Sequence, residues 1–183
     1  MATQTRLITA DEFFLMRNPP GVKQKLVRGE IEPMSFAGGE HAAVAAEIAA
    51  LIRNHAKPRG LGKVFTEVGV VTETDPDTVR GPDAAFIRAE RLPLIARIEK
   101  FLRIPPDLIV EVTSPGDRPA EIEAKNAEWL AFGVRLLWQV DPAARTATVH
   151  RPGAAPTTLA ADDEIDGGDV LPGFRCRVAD FFA

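Results

Sequence analysis

The sequence predicts a single mixed α/β domain spanning residues 1–183. Three observations predict it. Two stretches, one opening at Gly38-Gly39 and one following Asp117, place apolar residues at helical spacing. Around them lie short runs of strand composition, KVFTEVGVVTE, PDAAFIR, DLIVEV, VRLLWQV and TATVHR. The order helix, strands, helix, strand and trailing hairpin is that of a mixed sheet flanked by helices, with added hairpins, in a chain long enough for one sizeable core.

The first element is a short helix in TADEFFLMRNP, where Thr9 and Glu12 have the spacing of a capping box and Pro19-Pro20-Gly21 stops the helix. VKQKLVRGEIEPM reads as two short strands joined at Arg28-Gly29, with Glu30 beginning the second as an exposed hairpin carboxylate. In EHAAVAAEIAALIRNHAK, residues Val44, Ile48, Leu51, Ile52 and His55 form one continuous inner face. His41 lies on that side at the first turn, and Glu47 borders the stripe. KVFTEVGVVTE reads as one strand with Val64, Thr66, Val68 and Val70 on one face, followed by the turn-rich TDPDTVRG. PDAAFIR is a short apolar strand with Asp83 at its start, and Arg88 to Arg103 is a connection broken by Pro93. After Gly133 come a strand in VRLLWQV, a turn at Asp141-Pro142 and a hairpin partner in TATVHR. The tail gives a weak strand, an acidic turn, an edge segment near Val170-Leu171 and a closing helix from about Val178.

Composition excludes several classes. Hydrophobic content is 45% with one cysteine, Cys176, so no internal disulfide forms and a reducing, cytoplasmic setting is expected. No stretch approaches the roughly 18 apolar residues of a membrane span, and MATQTRLITADE lacks a signal peptide's apolar core. The net charge of −4 argues against tight, non-specific binding to nucleic acid. One stretch leans basic, with Arg88, Arg91, Arg97, Lys100 and Arg103 against Glu90 and Glu99, and reads first as solvated surface. Three histidines and one cysteine give no zinc spacing, and no Gly-rich phosphate loop, GxSxG or HExxH is present. Cys176 sits between two arginines, a setting that lowers a thiol pKa, but no histidine neighbours it in sequence.

The chemistry concentrates in PPDLIVEVTSPGDRPAEIEAK, from Pro105 to Lys125. Leu108 to Thr113 reads as a strand buried on both faces, yet it contains Glu111, a carboxylate that must be satisfied by a cation, a hydrogen-bond network or a proton. Ser114-Pro115-Gly116 ends the strand, and Asp117 is placed to cap the next helix. That helix aligns Ile122, Trp129 and Phe132 in a stripe shared by Lys125. If the strands of Asp83 and Glu111 pair, both acids reach one divalent cation, and the carbonyl of Val112 adds a third hard oxygen. Lys125 is then placed to hold or deprotonate a water or to stabilise charge on phosphate oxygens. A plain Glu111–Lys125 ion pair fits the same spacing. Asp107 also follows a proline, but roughly 13 Å of strand separates it from Glu111, too far to share one ion.

Taken in order, RGPDAAFI, PPDLIVEVTSPGDR, Lys125, WLAFGVRLLWQVDP and DVLPGF resemble the Uma-two family of restriction endonucleases, within the PD-(D/E)XK nuclease superfamily. The resemblance runs from the helix at Thr9 through LPGF. It implies a restriction-endonuclease-like fold with an αβββαβ core, phosphodiester hydrolysis with Mg²⁺ (or Mn²⁺), and nucleic acid, DNA first, as partner. Asp83 matches the PD aspartate and Glu111 the acid of the (D/E)XK element. Position 113 is Thr where that element has lysine, and the lysine is displaced onto the following helix at Lys125. Glu30, within RGE, and His41 match family features that line the same pocket. Trp129 stands where related sequences often carry Tyr. A homodimer through LLWQV and DVLPGF is a further expectation. The alternatives are a non-catalytic nucleic-acid or protein-binding module on the same fold, and an enzyme acting on RNA or a small phosphate ester.

Overall fold

A computed structural model describes residues 6–17, 19–95 and 98–183. Arg97 of the basic-leaning stretch and the first five residues of the polar start lie outside that range. Helix α1 (Ala10–Leu15) carries the expected capping box between Thr9 and Glu12. β1 (Lys23–Val27) and β2 (Glu30–Met34) form the hairpin, turned at Arg28 and Gly29 with φ of 49° and 77°. Two consecutive positive φ values suit the right-handed twist of the flanking strands.

Helix α2 (Gly39–Ala56) buries Val44, Ile48, Ala49, Ile52 and Ala56. The segment KVFTEVGVVTE is not one strand. It divides into β3 (Gly62–Thr66) and β4 (Val70–Glu73), which belong to different sheets. The chain breaks where Glu67 takes a φ of 49° and where the Phe101 ring crowds Gly69, 2.3 Å from the place a Cβ would occupy. The turn-rich segment after it also holds a short strand, β5 (Thr78–Arg80), antiparallel to β4 and to β1.

β6 (Ala84–Arg88) leads into a 3₁₀ helix (Ala89–Leu94), and β7 (Leu108–Val112) follows the connection. Helix α3 (Pro119–Phe132) crosses to β8 (Leu136–Asp141), which pairs with β7 in parallel. Gly133 ends α3 in the left-handed conformation, φ 111°, as expected of a helix C-terminus. β9 (Thr146–His150) and β10 (Thr157–Leu159) continue the sheet, whose order is β10-β9-β8-β7-β6-β3. The elements α2, β3, β6, β7, α3 and β8 give the αβββαβ succession, with β4 and β5 inserted as a hairpin that joins β1 and β2 in the second sheet. In the tail the strands are β11 (Glu164–Asp166) and β12 (Arg175–Arg177), before a 3₁₀ helix (Val178–Phe182). Val170-Leu171 is a buried turn between them and not an edge strand.

Alternation along the strands sorts the core. Phe86, Leu108, Val110, Leu136, Trp138 and Val140 pack against α2 and the tail, while Ala85, Ile87, Ile109 and Leu137 pack with Trp129 of α3. Glu111 follows Ile109 by two residues, so it faces α3. The expected dimer surfaces are used within the chain: Leu136, Leu137, Trp138, Val140, Val170, Leu171 and Phe174 are all core residues. Of the apolar side chains in LLWQV and DVLPGF, only that of Pro172 is exposed. No helix among the described residues is long and apolar enough to cross a membrane.

Candidate active site

Every residue of β7 is buried, Glu111 among them at 5% exposure. Its carboxylate is satisfied on both oxygens from one face of α3. Lys125 Nζ donates to Oε2 at 2.7 Å, and Trp129 Nε1 donates to Oε1 at 2.8 Å. Lys125 and Trp129 are four residues apart, which stacks them on one side of the helix. The indole N–H thus supplies the second donor to the buried carboxylate. Burial pushes the Glu111 pKa up against the pull of Lys125, and the Asp83 charge adds to the rise. For Lys125, burial lowers the pKa, but the Glu111 and Asp83 carboxylates outweigh it and the ammonium is held above its ordinary value. The lysine stays charged; its side chain is 37% exposed.

Asp83 enters from the neighbouring strand. β6 and β7 pair antiparallel with Ala84 opposite Val110 and Ala85 opposite Ile109. Asp83 stands one residue before that register begins, close enough to Glu111 for its charge to raise the Glu111 pKa. Asp83 Oδ2 accepts the amide of Val112 at 2.7 Å, and Oδ1 lies 3.0 Å from His41 Nε2. The N–H and C=O of one strand residue point to the same edge, so the Val112 carbonyl is directed to the Asp83 side. His41, in the first turn of α2, also places Nδ1 3.0 Å from Ser114 Oγ. Ser114, His41 and Asp83 are the residue types of an acyl-transfer triad, but the Ser114 amide donates to Asp117 Oδ2 at 2.8 Å and is not free to stabilise an oxyanion. Asp117 therefore closes this turn; Arg118 is the N-cap of α3 and its side chain makes no capping bond.

Asp83, Glu111, Lys125 and His41 come together, and Val112 with them. Glu30 does not join them: it is exposed at the start of the edge strand β2, and among the described residues its side chain has no hydrogen bond or ion pair. Glu47 is half-buried on α2 and takes no part in this network. Asp107, the second Pro-Asp, is fully buried at the other end of β7. It accepts the Arg88 amide at 2.9 Å and lies 2.8 Å from Arg91 Nη1, an ion pair without hydrogen-bond geometry. Arg88 pairs with Glu90, and Lys100 and Arg103 with Asp11, so the basic-leaning residues that are described are all charge-paired. Cys176 runs opposite to expectation. Burial, with Asp180 and Glu164 nearby, pushes its thiol up to about 12, and the adjacent arginines do not reverse this.

Three contributors were not singled out in the sequence. Ser114 reads there only as a strand end. Gln139 Nε2 donates to the Glu111 carbonyl at 3.2 Å and to Thr113 Oγ1 at 2.9 Å; its signal is a polar residue within the apolar run LLWQV. Asn126, 4% exposed on α3, has its Nδ2 3.5 Å from His150 Nε2. Beside the acids, α3 leaves the β8–β9 half of its sheet face open as a cleft of about 920 Å³, lined by His41, Thr113, Ser114, Asn126, Gln139 and His150 among others.

As hard oxygen donors, Asp83, Glu111 and the Val112 carbonyl fit a divalent cation, and the rise that Asp83 imposes on Glu111 is a repulsion a cation would relieve. They form a sparse set. Among the described residues, no three His, Cys, Asp or Glu side chains make a metal-binding cluster.

The αβββαβ succession, with its mixed sheet between α2 and α3, is a restriction-endonuclease-like α/β fold. The sequence profile of the Uma2 family, described as "Putative restriction endonuclease", matches residues 10–179, and the chain belongs to that family. A solved structure from Anabaena variabilis ATCC 29413, described as "a putative nuclease belonging to DUF820", shares the fold with a TM-score of 0.79. It is 22% identical, over 96% of this chain and 97% of that one. No curated protein sequence matches the chain.

Proposed function

We propose that the protein is a divalent-metal-dependent endonuclease hydrolysing phosphodiester bonds of nucleic acid, DNA first. The observation that carries this reading is that Asp83, just before β6, accepts the Val112 amide of β7 and acts electrostatically on Glu111, while Lys125 reaches the Glu111 carboxylate. Asp83, Glu111 and the Val112 carbonyl would hold Mg²⁺ or Mn²⁺, which supplies Lewis-acid stabilisation of charge on the phosphate oxygens. His41 fixes the rotamer of Asp83. Trp129 and Lys125 supply donors to the two Glu111 oxygens and offset part of the cost of burying that carboxyl. The part-exposed ammonium of Lys125 is left to orient the attacking water and to neutralise developing negative charge. The test is cleavage of plasmid and of single-stranded DNA with Mn²⁺. Cleavage that survives Lys125→Ala at full rate refutes the role given to that lysine.

A second reading, a non-catalytic nucleic-acid or protein-binding module, is favoured by one observation. All four carboxylate oxygens of Asp83 and Glu111 already have a partner within the protein. Binding to DNA that ignores metal, with no cleavage under any divalent ion, would support it.

A further inference from the structure

We propose that the cleft beside Asp83 and Glu111 receives an unpaired nucleobase, so that the strand being cut is single-stranded or locally unpaired at the scissile phosphate. The inference rests on the nuclease reading for what the site does, but the binding it describes stands by itself. Among the residues lining the cleft there is no lysine or arginine, while Glu40, Asp117, Glu123 and Asp141 line its rim and walls. A phosphate backbone laid along such a surface meets repulsion with no counter-charge. A neutral, hydrogen-bonding ring meets none.

The polar groups on offer suit a base edge. Gln139 commits Nε2 to Glu111 and Thr113, which leaves the acceptor end of the amide without a partner among the described residues. Asn126 Oδ1 is buried and unpartnered, and its Nδ2 meets His150 only at 3.5 Å. The Asn126 oxygen has no surface open to the cleft, so the base-edge contacts fall to the Gln139 oxygen and to His150. Burial lowers the His150 pKa, so the ring stays neutral as a donor and acceptor in place of a charge. Ile122 and Leu130 give apolar flanks. Amide side chains reading base edges, with apolar surface against the ring, is how unpaired bases are held. The cleft also connects to the acids at two points, through Gln139 to the Glu111 carbonyl and through Ser114 and His41 to Asp83. A base seated there keeps its own phosphate next to them.

The experiment measures fluorescence anisotropy of the full chain without metal. The probes are a labelled single-stranded DNA decamer, the same decamer with its central nucleotides abasic, its RNA counterpart and a blunt duplex. The intact single strand is expected to bind about tenfold tighter than the abasic strand and the duplex, within the range of one held base. Ala127→Trp, at an exposed α3 position lining the cleft, should abolish that difference while leaving the melting temperature unchanged. Tighter binding of either the DNA or the RNA decamer supports the pocket and identifies the sugar. Equal affinity for intact and abasic strands, or an unchanged preference in a folded Ala127→Trp protein, overturns it. Base-dependent binding without cleavage under any ion would instead sink the nuclease reading and leave the pocket standing.

Discussion

Lys125 Nζ lies 2.7 Å from Glu111 Oε2, an ion pair between a part-exposed ammonium and a carboxylate that is 6% exposed. The two sides of this pair are not equivalent. Removing the lysine strands a buried charge, whereas neutralising both removes the burden along with the attraction. Lys125→Met is expected to cost about 2 kcal/mol, less than the 3–5 kcal/mol of a fully buried pair because water reaches the ammonium. Glu111→Gln combined with Lys125→Met should recover more than half of it. Urea denaturation of the two single variants and the double variant closes the cycle. Additive losses would show that the pair is not coupled.

The same burial sets a pH dependence. With its folded pKa raised above the ordinary 4.5, Glu111 keeps a proton in the folded state that the unfolded chain has already released. Its contribution is fully present below pH 4.5 and is lost as pH rises through the folded value. Lys125 is raised from 10.5, so its contribution is complete below that pH and disappears only above it. Melting temperatures followed upward from pH 4.5 should therefore fall in the wild type relative to Glu111→Gln. A difference that stays flat with pH would mean that Glu111 titrates alike in both states.

Metal gives a separate test. A cation at ten times its Kd should stabilise the native protein by about 1.4 kcal/mol. Thermal melts with Mg²⁺ and Mn²⁺ should show this in the wild type, and no shift in the Asp83→Ala, Glu111→Ala double variant. No shift in the wild type would remove the metal from the site.

Glu111 and Lys125 were legible in the chain because each breaks a local rule. Glu111 interrupts a doubly buried strand, and Lys125 falls on an apolar stripe, so both ask for a partner before any fold is known. What stayed hidden depends on contacts across sequence distance. The His41–Ser114 bond links residues 73 positions apart. The Trp129 indole reads as plain packing until its N–H direction is known. Strand alternation runs unbroken through Glu67 to Gly69, so only the approach of Phe101 shows that the chain changes sheets there. Asp117 has the right type and place for an N-cap, but the Ser114 amide competes for it and wins. Glu30 carried no local violation at all, and its exposed hairpin position agrees with that silence.

Gly62 sits where β3 meets the end of β6. A Cβ there would stand 2.1 Å from the carbonyl oxygen of Ile87 and 2.7 Å from the Phe86 ring. A backbone carbonyl in a paired strand cannot move aside as a side-chain tip can. Gly62→Ala is expected to cost about 3 kcal/mol, the upper end of overpacking losses. Denaturant midpoints would check it, and a loss under 1 kcal/mol would show that the β3–β6 pairing yields at this point.

The two Pro-Asp dipeptides should separate cleanly by function and stability. Asp107 binds the Arg88 amide and Arg91 in a fully buried position, remote from Glu111 along β7. Asp83 is 23% exposed on its side chain and its charge acts on Glu111. Asp107→Asn keeps an acceptor for the amide but leaves Arg91 without its charge, so it should cost about 3 kcal/mol while cleavage per folded molecule is unchanged. Asp83→Asn keeps hydrogen-bonding atoms toward Val112 and His41, so the melting temperature should move little. The charge a divalent cation needs is gone, and cleavage should fall at least a hundredfold, about 2.7 kcal/mol of transition-state stabilisation. Measuring melting temperature and Mn²⁺-dependent cleavage on both variants decides the matter. The reverse pattern, with Asp107→Asn inactive but stable and Asp83→Asn active, would move the site to the other end of the strand.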